Sequence, residues 1–250
     1  MSGSDSLRDD LGKAIAFIRD GRASLAIPLL NGIIESDPNC TLALRWRGLA
    51  QSFRGDHAKA FADFSAIIIQ QPTSPEAYVD RASARRRAGD LRGAIEDYSA
   101  AIALNPHHSV AFLQRGRIKA ACGDWSEAIA DFTADIRHSR TGQLSGLLNR
   151  GRAKHRSGDF AGAIEDLSEA MRLECSPIFA PLFRGRVRLD AGDYRGAIAD
   201  FTAAIEAFPQ LTNAYRYRAE AGAIIGDSKG SAEDLHKFEE LGGRDLPAYE

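Results

Sequence analysis

Residues 75–108 read PEAYVDRASARRRAGDLRGAIEDYSAAIALNPHH, and segments of the same design recur along nearly the whole chain of 250 residues. Gly89, near the middle of this segment, belongs to a row of regularly spaced glycines. The row is Gly21, Gly55, Gly89, Gly123, Gly158, Gly192 and Gly226, with steps of 34, 34, 34, 35, 34 and 34 residues. A constant period of this length indicates an array of helical repeats, and it predicts the architecture before any single helix is assigned.

Other positions are equally regular when each of these glycines is numbered 15 within its repeat. Position 8 is always small: Ala14, Gly48, Ala82, Gly116, Gly151, Gly185 and Ala219. Position 24 is aromatic or leucine: Leu30, Phe64, Tyr98, Phe132, Leu167, Phe201 and Leu235. Position 20 is alanine in six repeats and Ser231 in the seventh, and position 32 is proline in four. This pattern resembles the tetratricopeptide repeat family. The resemblance implies an all-α fold, a right-handed α-solenoid of seven 34-residue helix–turn–helix repeats.

Each recurring position has a mechanical reason. Small residues at positions 8 and 20 let the two helices of a repeat approach closely. Glycine at position 15 accepts the left-handed backbone conformation that ends the first helix. The aspartate that usually follows can cap the first amides of the second helix, and Asp124 with Glu127 has the spacing of a capping box.

The repeat boundaries predict a single solenoid over residues 7–241, with a disordered N-terminus at 1–6 and a short C-terminal tail at 242–250. The repeats are 7–40, 41–74, 75–108, 109–142, 144–177, 178–211 and 212–245. The last helix has Ala232 and Glu239 where other repeats carry large apolar residues, so we expect it to cap the array. Departures from the pattern predict a local change of twist around residues 137–146 and 174–181.

Composition narrows the function. The hydrophobic and charged fractions, 44% and 26%, are those of an ordinary globular protein. The net charge of -2 argues against nucleic acid as the main partner, because proteins that bind the phosphate backbone usually have an excess of lysine and arginine. The three cysteines are far apart, and the sequence predicts no metal site and no cofactor. The chain shows no secretory signal and no membrane span, so we expect a cytoplasmic protein without membrane contact.

Two charged rows accompany the repeat from its second copy onward. Position 7 is Arg47, Arg81, Arg115, Arg150, Arg184 and Arg218, and position 23 is Asp63, Asp97, Asp131, Asp166, Asp200 and Asp234. The first repeat lacks both rows, having Lys13 and Leu29. Because the two residue types appear together, we interpret them as structural pairs that link the first helix to the second or to the adjacent repeat.

A shorter basic row lies on the face of the first helices that is expected to line the concave groove. Arg117, Arg152 and Arg186 share position 9 in three successive repeats, and no matching acid recurs there. Nearby charged and aromatic side chains extend the predicted partner-binding site. The full set is Arg86, Arg117, Arg152, His155, Arg156, Phe179 and Arg186. Arginine supplies charge and paired donors, and aromatic residues supply contact area, so the groove suits a segment with acidic side chains or a free carboxylate.

The sequence therefore favours a scaffold or adaptor that binds a protein or peptide, with an acidic segment in the groove, over an enzyme. The carboxylate clamp of chaperone-binding relatives is not present as a motif. We find no set of residues that breaks the repeat and converges as catalysis would require, so no catalytic residue is predicted. Two alternatives remain open: a self-associating structural array, and an RNA-binding helical-repeat protein. The sequence leaves the oligomeric state undecided.

Overall fold

The computed structural model describes residues 3–139, 143–173 and 179–243, with side chains from Leu7 onward. Fourteen α-helices and no strand occupy this part of the chain, which confirms the predicted all-α solenoid of helix pairs. The helices are α1 (Gly3–Arg19), α2 (Ala23–Ser36), α3 (Thr41–Phe53), α4 (His57–Gln70), α5 (Pro75–Arg87), α6 (Leu91–Leu104), α7 (Ser109–Cys122), α8 (Trp125–His138), α9 (Gln143–Arg156), α10 (Phe160–Leu173), α11 (Phe179–Asp190), α12 (Tyr194–Ala207), α13 (Thr212–Ile224) and α14 (Ser228–Glu240).

Contacts divide the chain into two compact units, residues 1–115 and 116–250. In the first unit, consecutive helices from α1 to α6 pack on one another. In the second unit, consecutive helices from α8 to α14 pack on one another. The first helices of neighbouring repeats also touch, α1 with α3 and α3 with α5 in one unit, and α9 with α11 and α11 with α13 in the other. Residues on those helices from successive repeats can therefore form a common surface within each unit.

The core of each repeat is filled from position 24. Six of the seven side chains there, Leu30 through Phe201, are at most 1% exposed. Glycine at position 8 makes room for them, since a Cβ placed on Gly185 would lie 2.7 Å from the Phe201 ring. The seventh, Leu235 in the last described helix, is 46% exposed. Where position 8 is glycine, close packing at position 24 depends on that missing Cβ.

The turn within each repeat follows the predicted geometry. All seven glycines at position 15 have positive φ, between +74° and +88°. Four of the following aspartates accept a hydrogen bond from a glycine amide three residues on, at 2.9–3.0 Å: Asp90, Asp159, Asp193 and Asp227. A Cβ on those donor glycines would lie 2.1–2.3 Å from the carboxylate. Glycine there is what lets the cap form.

The capping box predicted at Asp124 is wrong, because its side chain makes no capping hydrogen bond. Glu127, which would complete the box, instead pairs with Lys119 at 2.9 Å. Asp56 is also without a capping bond, and the residue three positions on is Lys59 where the capped turns have glycine. An ion pair to the first helix has replaced local capping in the fourth repeat.

Gly192 offers a clean test of the turn. An added Cβ would meet nothing within 4 Å, yet φ is +83°, so Gly192→Ala should cost about 1–2 kcal/mol of unfolding free energy through backbone strain alone. Gly12 is equally unobstructed but lies inside α1, so Gly12→Ala should stabilise by about 0.5–1 kcal/mol. Urea unfolding of both variants measures the two signs. A neutral Gly192→Ala would contradict the role given to the left-handed turn.

The chain ends differ slightly from expectation. Helix α1 begins at Gly3, four residues before the predicted first repeat and within the segment predicted to be disordered. At the other end α14 stops at Glu240, and Gly242 has φ of +74°. Residues 140–142, 174–178 and 244–250 lie outside the described part of the chain, so the predicted changes of twist and the C-terminal tail stay predictions. Within the described ranges, no helix is both long enough and apolar enough to cross a membrane.

Candidate functional site

The two long charged rows are part of the scaffold. In five of the repeats, Nε and Nη2 of the position 7 arginine each donate to one oxygen of the position 23 aspartate at 2.6–2.9 Å. The five pairs are Arg47–Asp63, Arg81–Asp97, Arg150–Asp166, Arg184–Asp200 and Arg218–Asp234. All five aspartates are buried. These arginines are therefore committed to the fold rather than available to a partner.

The remaining nitrogen of each arginine reaches the preceding repeat. Nη1 donates at 2.9–3.2 Å to a side-chain oxygen at position 25 of the previous second helix: Asn31, Ser65, Ser99, Thr133, Ser168 and Thr202. In most repeats, one guanidinium thus links three helices: the first helix that carries it, the second helix of the same repeat, and the second helix of the preceding repeat. The structural interpretation of the row is confirmed, and the two links that the sequence left as alternatives coexist.

The second unit contains a cavity of about 510 Å³. Its lining includes five of the seven predicted site residues: Arg117, Arg152, His155, Arg156 and Arg186. They come from the first helices α7, α9 and α11, whose shared face brings position 9 of successive repeats together. A volume of this size accommodates several side chains of a ligand.

Three of the lining arginines differ from Arg186 in their partners. Arg117, Arg152 and Arg156 form no ion pair or hydrogen bond with any residue that the structure describes, and all three are exposed. Partial desolvation of the guanidinium lowers the pKa of Arg152, although the residue as a whole is exposed, and the positive charges of Arg156 and Arg117 lower it further. The like charges of the three side chains therefore repel one another.

Aromatic rings support the guanidinium groups. The Cζ atom of Arg152 lies 5.0 Å from the ring centre of Phe183, that of Arg156 lies 5.7 Å from Trp125, and that of Arg186 lies 5.0 Å from Tyr217. Cation–π contact restrains the planar group while its N–H donors stay at the edges. Arg152 and Arg156 are therefore restrained with their N–H edges uncovered, whereas Arg186 already donates to Asp190.

Asp190 is a single acid that meets two of the predicted groove residues, a pairing that the sequence left undecided. It lies 2.7 Å from Nε2 of His155 and 3.0 Å from Nη2 of Arg186, and Arg186 is also 3.8 Å from Glu220. Arg186 and His155 are therefore partly compensated, unlike the other three cations. The i,i+4 spacing of Arg186 and Asp190 in the sequence could have indicated this pair.

Two predicted residues lie elsewhere. Arg86 is an exposed residue of the first unit and does not line the cavity. Phe179 is 52% exposed and stacks on Phe183 with ring centres 6.4 Å apart, so it adjoins the lining without being part of it. Trp125 was missed, because it begins a second helix whereas the prediction considered only the groove face of the first helices.

Helix α8 carries a buried acid that is not among the cavity-lining residues. Asp135 is 2% exposed and its Oδ2 has no hydrogen-bond partner. Burial raises its pKa to about 6, although the charge of Arg117 acts in the opposite direction. Asp135 stands at position 27 of its repeat, where the other repeats have alanine or a large apolar residue. Gly146 faces Asp135 in place of the usual alanine, whose Cβ would lie 2.7 Å from Oδ2.

The fold and the repeat pattern define a helical-repeat protein, and comparison with known families identifies which kind. The tetratricopeptide repeat model matches residues 11–75, 79–139 and 184–237, so the chain belongs to the tetratricopeptide repeat family. Among curated proteins none matches the chain significantly.

Solved structures share the fold at low sequence identity. The C-terminal part of a repeat protein from Cytophaga hutchinsonii is similar with a TM-score of 0.76 and 16% identity, over 92% of this chain and 95% of that one. A tetratricopeptide repeat protein from Parabacteroides merdae has a TM-score of 0.69 and 18% identity, over 96% and 95%. YrrB, described as having an unusual peptide-binding site, has a TM-score of 0.61 and 19% identity, over 71% and 91%.

Proposed function

We propose that this protein is an interaction module that binds a segment of a partner protein in the cavity of its second unit, through an acidic group on that segment. The observation that carries the proposal is the grouping of Arg117, Arg152 and Arg156 around one cavity with no acid partner among the described residues. The three like charges repel one another, and all three residues are exposed, so an acidic group of a partner can reach them. A bound acidic group would offset that repulsion.

The other lining residues support binding rather than chemistry. Leu182, Val187 and the rings of Phe183 and Tyr217 offer apolar contact beside the guanidinium groups, the combination that usually anchors a peptide. The described lining includes no serine, threonine, cysteine or lysine, and its one carboxylate, Asp190, is paired with His155 and Arg186. The fold similarity to YrrB, itself described as having a peptide-binding site, is consistent with a scaffold or adaptor role.

A peptide-display selection tests this function. The groove variant carries Arg117→Gln, Arg152→Gln and Arg156→Gln. A control variant removes the same charge from exposed sites outside the cavity, with Arg92→Gln, Arg172→Gln and Arg195→Gln. The wild type and the control should enrich acidic peptides. The groove variant should bind those peptides at least about 30-fold more weakly, since charge-assisted hydrogen bonds contribute about 1.5–3 kcal/mol each.

Thermal unfolding accompanies the selection, because the comparison is valid only if both variants keep the wild-type fold. Equal affinity of the folded groove variant and the control for the same peptides would overturn the proposed binding site. Selection of neutral or basic peptides by the wild type would overturn the acidic anchor.

A further inference from the structure

The charge around the cavity exceeds what one carboxylate can offset. Arg117, Arg152 and Arg156 together carry three positive charges, and Arg152 is the one on which the repulsion of the other two is evident. Of the two acids, Asp135 feels the charge of Arg117 without forming an ion pair with it, and Asp190 is shared between His155 and Arg186. An aspartate or glutamate of a partner would bring a single negative charge and would leave most of the excess in place.

We infer that the group anchored in this cavity is a phosphoryl group on a side chain of the partner segment, an inference that rests on the proposed function. A phosphorylated serine, threonine or tyrosine carries about 1.5–2 negative charges at neutral pH and has three terminal oxygens. It offsets roughly half to two-thirds of the three positive charges, whereas a carboxylate offsets about one-third. It also offers one acceptor oxygen to each arginine.

The geometry of the arginines agrees with this assignment. Arg152 and Arg156 each have one face of the guanidinium over an aromatic ring, which leaves the N–H edges as donors. Arg117 and Arg152 come from neighbouring repeats, so donors reach the cavity from two helices. The two oxygens of a carboxylate lie in one plane and suit one arginine, whereas the tetrahedral phosphoryl group accepts from several directions.

The surroundings favour a phosphorylated peptide over a free ion or a nucleic acid. About 510 Å³ is more than a phosphate ion needs, and Leu182, Phe183 and Val187 give the rest of the space an apolar wall. Single-stranded nucleic acids are held by bases stacked on free aromatic rings along a basic track. Here guanidinium groups already cover one face of Trp125, Phe183 and Tyr217, and the whole chain has a net charge of -2.

Trp125 provides a direct readout, because Arg156 lies over its ring and would move on binding an anion. The chain has two tryptophans, and Trp46 belongs to the first unit. In a Trp46→Phe background, Trp125 fluorescence is titrated at about pH 7.5 with phenyl phosphate, phenyl sulfate and benzoate. The three probes share a ring, and phenyl phosphate alone is doubly charged, since its second proton leaves at about pH 6.

Phenyl phosphate should bind at least about tenfold more tightly than phenyl sulfate and benzoate, and Arg152→Gln should remove this preference. Arg152→Lys keeps the charge but loses the planar pair of donors, so it should restore only part of the preference. Two hexapeptides that differ only in phosphoserine or glutamate at one position should show the same order of affinity.

Equal affinity for phenyl phosphate and benzoate, with both lost in Arg152→Gln, would overturn the phosphoryl assignment and leave the acidic anchor intact. Binding of every probe and peptide that is unchanged in Arg152→Gln and in the groove variant would overturn the proposed function as well. Tighter binding of a uridine hexanucleotide than of the phosphoserine peptide would overturn the peptide and identify a nucleic-acid ligand.

Discussion

Replacing Asp63 by leucine is expected to lower the free energy of unfolding by about 3–5 kcal/mol, the largest effect of any single substitution proposed for this chain. Asp63 is 5% exposed and receives two hydrogen bonds from Arg47. That pairing raises the pKa of Arg47, which shows that the carboxylate stabilises the charged guanidinium. Without it the cation would keep only the amide oxygen of Asn31 as a partner.

The double variant Arg47→Leu, Asp63→Leu should recover most of that loss, because removing both charges avoids leaving one buried and unpaired. The first repeat already shows that the fold tolerates their absence, with Leu29 at position 23 and an exposed Lys13 at position 7. Glu233→Leu is the matched control, since its pair with Lys229 is exposed and should contribute less than about 1 kcal/mol. Urea unfolding of the wild type, Asp63→Leu, the double variant and Glu233→Leu measures the free energies of unfolding that are compared. A double variant as unstable as Asp63→Leu would contradict the pairing argument.

The repeat made most of the fold predictable. A glycine every 34 or 35 residues fixes where each helix pair turns, and the small residues at position 8 explain why the helices can pack closely. The Arg47–Asp63 type of pair could be inferred because both residues are missing from the first repeat. The third hydrogen bond, to position 25 of the preceding repeat, could not, because serine, threonine and asparagine are common on any helix surface.

The candidate site was predictable only where it follows the repeat. Arg117, Arg152 and Arg186 share one position in three first helices, so their common surface follows from the period. Trp125 and Asp190 break that logic, since one lies on a second helix and the other pairs with residues of two repeats. Single exceptions of this kind need three-dimensional contacts, because a period describes only what recurs.

Asp135 also departs from the repeat pattern, and its buried carboxyl should make the stability of the protein depend on pH. Asp135→Ala is expected to stabilise the second unit relative to the wild type by about 2 kcal/mol more at about pH 7.5 than at about pH 4.5. The folded-state pKa of about 6 lies above the value of about 3.9 for an unfolded chain. The stability of the wild type relative to the variant is therefore complete below about pH 4. It is lost as the pH rises through about 6, where the buried carboxyl must ionise.

Unfolding of the second unit can be followed by Trp125 fluorescence in the Trp46→Phe background at several pH values. Asp135→Asn keeps the shape facing Gly146 and should show the same pH dependence, which separates the charge from any void that alanine leaves. In a protein that keeps Asp135, Arg117→Gln removes the charge that favours the ionised carboxylate. The stability lost at high pH should then be larger than in the wild type. A difference between Asp135→Ala and the wild type that stays constant from about pH 4.5 to about pH 7.5 would show that the carboxyl ionises freely in the folded protein.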